Sequence, residues 1–87
     1  MAWVYVLTTK SEKFYVGSTQ NLDERMKHHF RNATPSTKRL HVESLALAQK
    51  YDSLAGARRV ERKIKKLKRR DYIVRMLRDG YIKVSPL

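Results

Sequence analysis

The sequence predicts an α+β fold: a small, three-stranded, largely antiparallel sheet flanked by helices, in the order β-β-α-β-α-α. Three observations carry this expectation. Two β-branched and aromatic runs, residues 3–8 and 14–17, lie close enough to pair as a hairpin. Ala57, Val60, Ile64 and Leu67 recur at three- and four-residue spacing, the period of a helix with one buried face. A hairpin at the start does not fit the strand–helix–strand rhythm of parallel crossovers, so an antiparallel sheet with helices against it is favoured.

Each element has its own grounds. Trp3-Val4-Tyr5-Val6-Leu7-Thr8 is the first strand, and Phe14-Tyr15-Val16-Gly17 the second, across the polar stretch Thr9-Lys10-Ser11-Glu12. Asn21 suits a helix cap, with Glu24 three residues on to complete a capping box. That helix runs to about Arg31, with Leu22, Met26 and either His29 or Phe30 as its apolar stripe. Residues 32–39 read as a loop around Pro35. In the third strand, Leu45, Leu47, Gln49 and Tyr51 share one face and Ala46, Ala48 and Lys50 the other. Ser53 caps a helix whose buried stripe is Ala57, Val60, Ile64 and Leu67. Asp71 opens a last helix with Ile73, Val74, Met76 and Leu77 turned inward, and Gly80 ends it.

With 87 residues, the chain is expected to form one domain over 1–87. A chain of this length buries only about 60–65% of its unfolded surface. That leaves no room for a large enclosed cavity and argues against a cofactor the size of a flavin. The absence of cysteine excludes disulfides, thiolate nucleophiles, iron–sulfur clusters and cysteine-based zinc sites. No apolar run approaches the roughly 18–20 residues that span a bilayer. The first residues have no charged region followed by a long apolar one, so the chain reads as soluble and cytoplasmic.

Charge is the strongest compositional signal. Twenty Lys and Arg against eight Asp and Glu leave a net charge of +12. Nine of the thirteen residues from Arg58 to Arg70 are basic, and only Glu61 is acidic. A polyanion is the natural partner, and nucleic acid is the commonest one. A solvated helix face and an anionic membrane surface are the competing explanations. For nucleic-acid binding, the candidates are Arg58, Arg62, Lys65, Lys66 and Arg69 on the basic helix 54–70.

An ordered set of residues makes the expectation specific. Trp3-Val4-Tyr5 is followed by Tyr15-Val16-Gly17, then by Asn21-Leu22-Asp23-Glu24-Arg25 and His29, and much later by Glu61 on the basic helix. In order and spacing this set resembles the GIY-YIG nuclease superfamily, in particular its small single-domain members, over roughly residues 3–75. Trp3 stands where the name-giving glycine would be, and Val16 replaces isoleucine. Residues 32–39 contain no tyrosine, which many small relatives carry there.

The resemblance implies cleavage of phosphodiester bonds with a single divalent ion, Mg2+ or Mn2+. It assigns Tyr5, Tyr15, Arg25, His29 and Glu61 to the catalytic site, Glu61 to the metal and Gly17 to the motif backbone. Physical chemistry is compatible with each. One carboxylate, waters and a substrate phosphate can hold magnesium. Glu61 lies at the border of the Val60–Ile64 stripe, although a helix ion pair to Arg58 or Lys65 explains it equally from spacing alone. Arg25 and His29 share a helix face. The guanidinium fork of Arg25 matches phosphate, and His29 can position water, contact phosphate, accept a proton or simply pack. His28 and His41 receive no role. Tyr15 is the candidate general base or water-orienter and Tyr5 a supporting contact, against the alternative of two strand tyrosines with buried rings. Gly17 would let substrate or helix backbone approach closely, or would simply end the strand.

The expected function is magnesium-dependent endonucleolytic cleavage of DNA, structure-selective or directed by a partner protein, with RNA left open as a substrate. The alternative is a non-catalytic nucleic-acid-binding module that uses the same helix.

Overall fold

The computed structural model describes residues 1–9, 13–30, 42–67 and 70–84, with the side chains of 28–30 and 42–43 left aside. Among the described residues, three strands and three helices follow in the expected order: β1 (Ala2–Thr9), β2 (Phe14–Thr19), α1 (Leu22–Phe30), β3 (Val42–Tyr51), α2 (Leu54–Leu67) and α3 (Arg70–Asp79). The sheet has the order β2-β1-β3, and both pairings are antiparallel.

β1 is the central strand, which explains its near-continuous apolar sequence. Ala2, Val4 and Val6 are buried on one face and Tyr5, Leu7 and Thr9 on the other. Thr9 closes the hairpin through its backbone N–H to Lys13 O (3.0 Å), while its hydroxyl accepts the Lys13 N–H (3.1 Å). The core lies on the face of Val4, Val6 and Val16, against Ala57, Val60 and Ile64 of α2.

Helix starts follow the sequence rules closely. Asn21 Oδ1 accepts the Glu24 N–H (3.1 Å), and Ser53 Oγ accepts the Gly56 N–H (3.0 Å). The Asn21 N–H is taken by Thr19 Oγ1 (3.1 Å) rather than by Glu24, so the cap draws on β2. Gly80 adopts φ +83 and donates to Met76 O (2.9 Å), ending α3 in the left-handed conformation that suits glycine.

Four expectations need correction. A register shift between Val6 and Leu7 pairs Val6 with Leu47 but Leu7 with Leu45. The bulge turns Leu45 away from the face of Leu47, Gln49 and Tyr51 and leaves it 38% exposed. Val74 is 46% exposed because it lies roughly 160° around α3 from the buried Met76; Tyr72 takes the inward position. Leu67 is 39% exposed because it is the last residue of α2. Finally, β2 runs on to Thr19, so Gly17 does not end the strand.

Candidate active site at the edge of strand β2

The site is assembled around β2, one of the two edge strands. Tyr5 pairs with Gly17 and Leu7 with Tyr15, so Tyr5, Tyr15 and Gly17 share one face of the hairpin. Tyr5 is 2% exposed and its ring fills the space above Gly17: a Cβ at position 17 would lie 2.5 Å from Tyr5 Cζ. Gly17 has no positive φ, so what it provides is room. The group that fills this room is the Tyr5 ring, because cross-strand pairing sets the two residues opposite each other.

This seating brings the Tyr5 hydroxyl over the edge strand, within electrostatic reach of the other candidate groups. Burial pushes the phenol up to about 12; Arg25 opposes the shift, and Tyr15 and Glu61 add to it. Tyr5, Tyr15, Arg25 and Glu61 therefore form one electrostatic cluster, although they come from β1, β2, α1 and α2. Arg25 stands on the exposed side of α1 one turn after the Asn21 cap. Tyr15 is half-buried on β2.

Glu61 reaches β2 from the core side. Val60 and Ile64 anchor α2, and the next position around the helix sets Glu61 beside Ser18, which pairs with Val4 in the ladder. The Ser18 hydroxyl donates to Glu61 Oε1, and Lys65 Nζ lies 2.6 Å from Oε2. With 20% of its side chain exposed, the carboxylate is neither sealed nor free. Ser18 was missed in the sequence; the signal for it was its position two residues after Val16, on the same core-facing side of the strand.

A single divalent cation fits this arrangement only in one way. Among the described residues, no group of three or more His, Cys, Asp or Glu is placed to hold a metal. Glu61 offers one carboxylate with the Ser18 hydroxyl beside it, a donor set that could hold magnesium only with waters and a phosphate completing the shell. The ion pair to Lys65 is the helix contact that spacing allowed, and both oxygens of Glu61 are engaged.

Arg58, Arg62, Lys65 and Lys66 are exposed and, with Glu61, line one shallow recess along α2. Four of the five expected nucleic-acid contacts thus share a surface with the acidic residue. Arg69 lies outside the described residues. His29 is on α1 one turn after Arg25, and its side chain is likewise outside the described part of the chain. Among the described residues, no helix is long and apolar enough to cross a membrane.

A family model for the GIY-YIG catalytic domain matches residues 1–75. The chain belongs to the GIY-YIG family, a nuclease-type class whose substrates are nucleic acids. Among solved structures, it is similar to the solution NMR structure of the UPF0213 protein BH0048 from Bacillus halodurans. The two are 28% identical, with a TM-score of 0.57, and the match covers 92% of this chain and 87% of the other. No curated protein matches the chain.

Proposed function

We propose that the chain is a magnesium-dependent endonuclease that hydrolyses phosphodiester bonds in DNA, with Tyr5, Tyr15, Arg25, His29 and Glu61 as its catalytic residues. The observation that supports this reading is that the motif residues are gathered around strand β2: Tyr5 over Gly17 with Tyr15 on the same face, and Glu61 on Ser18 of the same strand.

The roles follow from the chemistry of each group. With a phenol near 12, Tyr5 stays protonated at neutral pH, so it acts as a hydrogen-bond donor to a phosphate oxygen or to water and not as a base. Tyr15, on the same face and less buried, orients or deprotonates the attacking water. Arg25 neutralises charge building on the phosphorus oxygens. His29 contacts the phosphate or hands on a proton. Glu61 holds Mg2+ or Mn2+, which when bound supplies charge neutralisation and a more acidic water. Arg58, Arg62, Lys65, Lys66 and Arg69 hold the flanking phosphates.

A second reading is favoured by one contact. The Lys65–Glu61 pair at 2.6 Å is what a non-catalytic basic helix would also show. Incubation with linear, nicked, flapped and branched DNA, with and without Mg2+ or Mn2+, separates the two. Metal-dependent cleavage supports the nuclease, and binding without cleavage under every condition supports the module.

A further inference from the structure

A second recess opens on the core-side edge of β2, where the strand meets the end of α2 and the start of α3. Phe14, Val16, Ile64 and Ile73 supply apolar wall, Lys13, Lys65 and Arg70 supply positive charge, and Tyr15 borders it. No acidic residue lines it among the described residues. Its volume of about 440 Å³ falls within the range of ligand sites, about 300–1,000 Å³. The Arg70 guanidinium lies over the Phe14 ring, 5.3 Å from its centroid.

We infer that this recess seats one unpaired nucleotide next to the cleavage site, so that the chain prefers DNA with an unstacked base at the scissile position. The inference rests on the nuclease reading and adds a substrate class to it. Duplex DNA keeps its base faces stacked inside and offers a protein phosphates and groove edges. An apolar, aromatic recess bordered by Tyr15 therefore has no partner in an intact duplex. A single unstacked base does match it, because every base has a face that stacks on an aromatic ring. The cations complete the match: Lys13 and Lys65 stand where the sugar–phosphate of that nucleotide would run. Arg70, a planar cation over the Phe14 ring, adds positive charge to the same wall. Lys65 also lines the α2 recess, so the two binding surfaces are continuous.

The test uses the full chain in EDTA, which removes cleavage from the measurement. The probes are a short blunt DNA duplex and the same duplex carrying one unpaired 2-aminopurine nucleotide. The wild-type chain should bind the second roughly tenfold more tightly, in line with the effect of removing one stacked base, and should quench its fluorescence. Phe14→Leu keeps the apolar wall and removes the ring; it should abolish the quench and the preference while duplex affinity stays unchanged. Equal wild-type affinity for both probes with no quench overturns the inference, and this readout needs no variant to fold. Cleavage with Mg2+ is scored separately. Cleavage without the preference sinks the nucleotide seat and leaves the nuclease reading standing. The preference without cleavage sinks the nuclease reading and, with it, the claim that the seat lies at a scissile position.

Discussion

Replacing Gly17 by alanine tests how the site is held together. The new Cβ would stand 2.5 Å from Tyr5 Cζ and 3.0 Å from Cε2. Carbon atoms in contact sit about 3.5–4.0 Å apart, so the ring must retreat by about 1 Å. It has little space to do so, because Tyr5 is 2% exposed and its chain neighbours Val4 and Val6 are fully buried. Overpacking of this kind costs about 1–3 kcal/mol, and in a domain of this size each kcal/mol lowers Tm by about 4–8 °C. The hydroxyl moves with the ring, and a 1 Å misplacement costs on the order of 100-fold in turnover. Thermal melts of the wild type, Gly17→Ala, Tyr5→Leu and the double variant close a cycle. Because the strain is ring against methyl, the double variant should be more stable than the sum of the singles predicts by about 1 kcal/mol or more. A Gly17→Ala chain that melts like the wild type, or a double variant that is simply additive, refutes the claim that the ring depends on a bare glycine.

Other outcomes follow from the same geometry. The Tyr5 phenol is raised from 10.0 to about 12, so its proton is held more tightly in the folded state. The resulting stability is complete below pH 10 and fades as pH climbs towards 12. Denaturant midpoints across that window should fall further for the wild type than for Tyr5→Phe; equal falls would mean that the hydroxyl is not desolvated. Changing Arg62, Lys65, Lys66 and Arg69 to Ser should flatten the log–log salt dependence of DNA affinity by about 0.9 for each phosphate that is no longer neutralised. An unchanged slope would take this face of α2 out of the interface. In α3, Met76→Ala should cost about 2–5 kcal/mol, while Val74→Ser should stay within about 0.5 kcal/mol. Similar costs at both positions, read by urea titration, would put α3 in a different rotation.

What could be read from the sequence was whatever depends on neighbours along the chain. Asn21 and Ser53 announce helix starts because a cap is a matter of three residues, and both side-chain oxygens accept a backbone N–H as their type leads one to expect. The stripe of α2 is likewise local, and with it the border position of Glu61. Pairings between distant residues were not legible. That Tyr5 lies over Gly17, and that Ser18 bonds Glu61 across 43 positions, depends on strand register and helix placement, which no local pattern specifies. The bulge in β3 shows the same limit: alternation assigned Leu45 to the face of Leu47, and one register shift moved it to the other side. Val74 was misplaced for a simpler reason. An apolar residue next to a buried stripe looks inward until the 100° step per residue is followed around the whole helix. The recess at Phe14 needed β2, α2 and α3 together, so only the fold could reveal it.

The central claim is that Glu61 is the metal ligand of a nuclease and not the partner of Lys65 alone. Glu61→Gln tests it directly, since the change keeps size and helix propensity and removes one charge. The measurement pairs cleavage of a DNA substrate in Mg2+ with affinity for the same DNA in EDTA. If Glu61 holds the metal, cleavage should fall to near background, because a neutral amide is a poor ligand for a hard cation. Affinity in EDTA should hold or tighten slightly, since a negative charge has left a basic surface. If Glu61 only pairs with Ser18 and Lys65, the change costs stability alone and cleavage continues. A folded Glu61→Gln chain that binds DNA and still cuts it in Mg2+ contradicts the account.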